Sequence, residues 1–101
     1  LYTSANGKSI VILQSDHGSA CTDWHEEKQF TLERMRILNA YRVPERMQLQ
    51  LTQTITPVNS FRLLFRELFG ADLPPLKDES FIAIPPDELY RFKSVSKILS
   101  E

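Results

Sequence analysis

The chain has 101 residues, with 12 Lys and Arg against 13 Asp and Glu, a net charge of -1, and 42% hydrophobic and 25% charged residues. That balance argues against a nucleic-acid binder and against an acidic solvating tail, and no apolar run approaches the ~18 residues of a membrane span. The single cysteine, Cys21, excludes an intramolecular disulfide, and the length predicts one domain spanning residues 1–101 that could bury roughly 65% of its unfolded surface.

Residues 1–8 are polar and turn-like, with Asn6-Gly7 as the turn signal. Leu1 in place of an initiator Met predicts either an excised piece of a longer chain or a processed terminus. Residues 9–14 are β-branched and apolar without alternation, the pattern of a central strand buried on both faces of an α/β sheet. Residues 15–33 read as a polar loop with a helical turn around Glu26–Thr31. Met35–Val43 alternates and ends at Pro44, which cannot donate to a ladder, and so predicts a second strand. The Gln-rich stretch 45–54 predicts a mobile connection.

The clearest element is a helix over residues 57–69. Thr56 suits the N-cap, Pro57 the first turn and Gly70 a left-handed C-cap. Val58, Phe61, Leu64, Phe65, Leu68 and Phe69 fall at helical spacing and predict a buried face, worth on the order of 10 kcal/mol before entropy is subtracted. Ser80–Ile84 and Tyr90–Val95 predict a small distal strand pair, joined by a turn at Pro85-Pro86-Asp87. The tail from Ser96 to Glu101 predicts a frayed end.

The chemistry concentrates at Asp16-His17-Gly18, directly after the first apolar run. Ligands of open α/β sheets gather beyond the carboxyl ends of strands. A carboxylate and an imidazole there suit a divalent metal, and the turn that Gly18 permits could bring both side chains to one side. The competing reading is an Asp that caps the next turn beside a solvated His. Cys21 and His25 could add two ligands to the pair, although Cys-x3-His is not a strong zinc spacing. Ser15 and Ser19 flank His17, but adjacent residues seldom reach nucleophile–base geometry. Arg62 and Arg66, four apart on the helix, read either as an anion site or as a solvated face. Trp24 and Phe30 read as loop anchors or as pocket walls.

Ile12-Leu13-Gln14-Ser15-Asp16-His17-Gly18 resembles the metal-binding segment of sulfatase-like enzymes in the alkaline phosphatase superfamily. The resemblance continues through the segment Glu33 to Pro44, through Ile55-Thr56-Pro57-Val58-Asn59-Ser60-Phe61-Arg62 and into Tyr90–Val95, and so covers about Ile10 to Val95. Many sulfatases read closer to Asp-x-x-Pro-Thr at the helix start, which marks a divergent branch.

The resemblance implies an α/β fold, namely a fragment of an alkaline-phosphatase-like sheet with one long helix and a small distal strand pair. It implies a parent that hydrolyses or transfers phosphate or sulfate esters with a Ser, Thr or formylglycine nucleophile. Asp16 and His17 would ligate a divalent metal (Zn, Mn, Mg or Ca). The nucleophile and most other ligands of the family lie upstream of this motif. The chain is thus expected to be the C-terminal segment of such a domain, inactive alone and without nucleic acid as a partner. Its expected partners are the N-terminal part of the catalytic domain, the ester substrate in the parent, and itself through exposed apolar surface. Family members are commonly membrane-anchored with the catalytic domain outside the cytoplasm. A second reading is a non-catalytic α/β module that associates through the aromatic helix 57–69.

Overall fold

The computed structural model describes residues 9–83, 85 and 87–101. The elements run β1 (Val11–Gln14), α1 (Glu27–Met35), β2 (Asn39–Arg42), α2 (Glu45–Gln48), α3 (Pro57–Phe69), β3 (Phe81–Ala83), β4 (Phe92–Ser94) and α4 (Ser96–Ser100). The fold is mixed helix and strand, with two small antiparallel sheets ordered β1-β2 and β3-β4. The chain divides into two compact units, one comprising the residues up to Ile12 with Ala40–Asp78, the other Leu13–Asn39 with Glu79–Glu101. The expected turn at Asn6-Gly7 lies outside the described residues, as do Ile84 and Pro86 of the distal pair.

In the first unit, α3 matches its expected bounds. Pro57 opens it and Gly70 closes it at φ 62, with Gly70 N–H donating to Arg66 O at 3.0 Å and Ala71 N–H to Phe65 O at 3.3 Å. The buried face differs from the expected one. Asn59, Ser60 and Leu63 are buried, with Leu63 only 4% exposed, whereas Val58 is 57% and Phe69 73% exposed. Two polar residues can go inside because their groups are satisfied there. Asn59 Nδ2 donates to Leu76 O at 2.7 Å, its Oδ1 accepts from Leu76 N–H at 2.8 Å, and the Ser60 hydroxyl donates to Pro57 O at 3.0 Å. Phe61, Phe65 and Phe69 rest against one another instead, with centroids 6.4 and 6.1 Å apart.

The core of this unit is Val43, Met47 and Leu63, backed by Ile10, Tyr41, Leu51 and Leu64. Met47 is 2% exposed and sits on α2, so the stretch expected to be a mobile connection supplies a core residue. Pro44 starts α2 without capping it, and Met47 and Gln48 donate back to Pro44 O at 2.9 and 3.1 Å. The periodicity was hidden because one turn of helix has room for only one buried position.

In the second unit, α1 extends to Met35 and shortens the expected strand over residues 35–43 to Asn39–Arg42. Glu, Lys, Gln and Leu favour helix, and Gln29 Nε2 donates to Glu33 Oε1 one turn on at 3.0 Å. β1 is not a doubly buried central strand. Among the described residues its sheet partner is β2 alone, and Leu13 faces solvent. β3 and β4 pair with Phe81 opposite Ser94, Ile82 opposite Lys93 and Ala83 opposite Phe92, as expected for a distal pair.

The chain end is not frayed. It forms α4, with fully buried Val95 before it, Leu99 N–H donating to Val95 O at 3.2 Å and Lys28 Nζ paired with Glu101 at 2.8 Å. Lys93 pairs likewise with Glu27 on α1. Among the described residues no helix is long and apolar enough to cross a membrane.

The inverted face of α3 sets a direct test in urea unfolding. Leu63→Ala is expected to cost about 3 kcal/mol, since it opens a cavity beside Val43 and Met47. Phe65→Ala, two positions along but on the outer face, is expected to cost about 1 kcal/mol or less. The reverse order would return the aromatic stripe to the interior.

Candidate functional site

Asp16 and His17 lie on the loop that leaves β1. The mouth of that strand is held by side chains as well as backbone. Ser15 N–H donates to Leu38 O at 2.9 Å, Leu38 N–H donates to the Ser15 hydroxyl at 3.0 Å, and Gln14 Nε2 donates to Asn39 Oδ1 at 3.1 Å. Ser15 is therefore a structural acceptor, and the Ser19 hydroxyl accepts from Cys21 N–H at 3.3 Å.

Gly18 has a packing reason rather than the conformational one the sequence suggests. Its φ lies outside the left-handed region, and among the described residues the positive-φ glycine is Gly70. A Cβ added at Gly18 would lie 2.0 Å from Glu33 O and 2.8 Å from Arg36 O. Only glycine lets the loop reach the carbonyl end of α1, where Gly18 N–H donates to Arg34 O at 2.7 Å.

This contact presents the acid–imidazole pair to solvent, with side chains 87% exposed for Asp16 and 48% for His17. Asp16 Oδ1 accepts from His17 N–H at 3.0 Å, and Asp16 Oδ2 stands 3.6 Å from His17 Nε2. Two ligands at ~2.0 Å from a tetrahedral metal lie about 3.3 Å apart, so the pair has the bite of two metal donors. His17 Nδ1 is 2.7 Å from Gly18 O and 2.8 Å from Arg34 Nη1. One nitrogen cannot donate to the first and accept from the second together. The tautomer that donates to Gly18 O leaves the Nε2 lone pair free for a metal.

Cys21 and His25 do not join the pair. Among the described residues no group of three or more His, Cys, Asp or Glu could hold a metal. His25 is taken by Asp23, with Nδ1 2.6 Å from Oδ1 and the His25 N–H on the same oxygen at 3.0 Å, and Trp24 stacks on its ring at 3.7 Å. These bonds, the backbone one first, hold the Asp23 carboxyl below the usual range. Trp24 thus anchors its own loop. Glu33 on α1 fastens the same loop, accepting from the Thr22 hydroxyl at 2.7 Å and Thr22 N–H at 3.3 Å. Gln29 and then Thr22 lower the pKa of Glu33.

A second feature belongs to the other unit. A cleft of about 350 Å³ runs beside α3, with Ile55, Leu63 and Leu76 on its apolar side and Arg62, Arg66 and Asp78 among its polar groups. Asp78 Oδ1 accepts three bonds at 2.8 Å, from Thr56 N–H, the Thr56 hydroxyl and Asn59 Nδ2. Burial, the largest single influence, pushes its pKa up, but the three bonds together outweigh it and leave the carboxyl below its ordinary value. Thr56 therefore does not cap α3 with its own side chain. Sequence reasoning missed Asp78, and the usable signal was Asn59, a polar residue in the first turn of an apolar helix.

A lowered folded pKa means that this clasp stabilises above the unfolded Asp value of about 3.9 and is lost as pH falls through the folded value. Urea midpoints measured from pH 7 down to pH 2.5 are expected to fall less steeply in Asp78→Asn than in the parent chain. Equal slopes would show that the carboxylate charge contributes nothing. In comparisons with known proteins, no family model, curated protein or solved structure matches the chain.

Proposed function

We propose that this chain is the C-terminal segment of a metal-dependent, sulfatase-like hydrolase or transferase of the alkaline phosphatase superfamily, acting on phosphate or sulfate esters. The observation that carries the reading is the solvent-facing pair at the end of β1, with Asp16 Oδ2 and His17 Nε2 3.6 Å apart. In the parent these two residues hold one side of a divalent metal (Zn, Mn, Mg or Ca), and further ligands and the nucleophile come from the rest of the catalytic domain. The bound metal would supply Lewis-acid charge and an activated nucleophile. The chain's own residues orient the pair: Gly18 and Arg34 seat the loop on α1, and Ser15 ties its base to Leu38. In this reading the parent is the extracytoplasmic domain of a membrane-anchored enzyme, as the family it resembles commonly is.

One observation favours a second reading. The aromatic face of α3 is outward, with Phe61, Phe65 and Phe69 in tilted contact along it. A non-catalytic module that associates through this face would need no metal. In the enzyme reading the rest of the catalytic domain covers the same face.

The two readings separate by activity. The chain alone is expected to give no metal-dependent turnover of p-nitrophenyl phosphate or p-nitrophenyl sulfate. A longer protein that carries it is expected to turn over one of them and to lose about 100-fold or more in kcat/KM on Asp16→Ala or His17→Ala. Undiminished turnover in both variants would sink the enzyme reading. Sedimentation of the chain with and without Mn or Zn supplies the complementary measurement, because the module reading requires association indifferent to metal.

A further inference from the structure

The cleft along α3 contains an electrostatic imbalance. Arg62 and Arg66 are one turn apart, about 6 Å along the helix, and both are half-buried at its wall. Each is held by a neutral partner. Arg62 Nε donates to Pro74 O at 2.7 Å, and Arg66 Nη2 donates to Gln50 Oε1 at 3.2 Å. Other arginines are matched to acids: Arg91 to Glu88 at 2.8 Å and Arg46 to Glu67 at 3.4 Å. Glu67 neighbours Arg66 in sequence but turns to Arg46 and Gln50, where Gln50 Nε2 donates to it at 3.2 Å.

Among the described residues, neither cleft guanidinium is paired with a carboxylate. A guanidinium has five N–H donors in a planar fork suited to oxyanions, and each of these two commits one.

The rest of the cleft defines what such an anion would carry. Ile55, Leu63, Pro75 and Leu76 form an apolar wall, and the volume of about 350 Å³ suits a small organic molecule. Asp78 is bound to Asn59 at 2.8 Å, near the start of α3, about 4.5 Å along the axis from Arg62 and about 10 Å from Arg66. Negative charge at that end orients a bound anion with its head toward the Arg66 side of the arginine pair.

We infer that this cleft is a binding site for an oxyanion carried on an apolar body, held by the Arg62 and Arg66 forks with its body against Ile55, Leu63 and Leu76. The site lies apart from Asp16 and His17 in sequence and does not rest on the enzyme reading.

Amide chemical-shift titration of the full chain tests it, with phenyl phosphate, phenylacetate, inorganic phosphate and benzyl alcohol as probes. Saturable shifts at Gln50, Ile55 and Leu76 are expected with phenyl phosphate or phenylacetate; the tighter of the two identifies the head group as phosphate or carboxylate. Inorganic phosphate and benzyl alcohol should each bind at least 10-fold more weakly, since each lacks one half of the ligand. Arg66→Gln and Arg62→Gln should each weaken the better probe about 10-fold or more. Arg66→Lys, which keeps the charge without the fork and protects against a folding artefact, should weaken it by a smaller factor. Unchanged amide dispersion confirms that each variant is folded. The inference is overturned if benzyl alcohol binds as tightly as both anions, if neither anion saturates by about 10 mM, or if folded Arg66→Gln binds like the parent chain.

Discussion

The contact on which the candidate metal pair depends is the approach of Gly18 to the carbonyl end of α1. The last carbonyls of a helix have no partner within it and must find donors elsewhere. Gly18 N–H answers Arg34 O at 2.7 Å, and a side chain at this position would run into Glu33 O. One missing Cβ therefore caps a helix and places a loop at the same time. Glu33, on the same helix, holds the Thr22 end of that loop with its carboxylate. Asp16 and His17 are displayed by a segment tied down on both sides, at Ser15 and at Gly18.

The first unit shows a different economy. Its buried hydrophobic set is Val43, Met47 and Leu63, while most of the apolar face of α3 lies outside. Hydrogen bonding offsets the thin core. Asn59 makes a two-way bond with the Leu76 backbone, and Asp78 gathers Thr56 and Asn59 onto one oxygen. Satisfied polar burial costs little, whereas losing one partner of such a network leaves the others desolvated and unpaired.

Much of the secondary structure was legible in the sequence wherever a residue type has only one local use. Pro57 and Gly70 bracket α3 because neither can sit elsewhere in a helix without cost, and the distal strands β3 and β4 follow their apolar runs. Orientation was not legible. Hydrophobic periodicity identifies a helix by its apolar face but cannot say what meets that face; Asn59 took the interior through Leu76 and Asp78, far along the chain, and Ser60 through a local bond to Pro57 O. The sequence predicts only one helical turn of α1, around Glu26–Thr31, in a loop running into a strand because its residues are mostly polar, and it hides α2 because a single turn carries no period. At the site, Asp16 and His17 stood out as a pair. The role of Gly18 could not be read, since it depends on carbonyls fifteen and more residues away.

The outward face of α3 has a further geometric consequence. Val58, Phe61, Phe65 and Leu68 are separated by three, four and three residues, and all four are exposed. That alternation is a heptad seam of nearly two repeats, with Val58 and Phe65 at one class of position and Phe61 and Leu68 at the other. A straight helix drifts only about 20° per heptad from such a seam, so over 13 residues the stripe stays nearly parallel to the axis. A helical surface laid against it would interlock knobs into holes at a shallow crossing of about +20°, rather than at the steep angles common in globular cores.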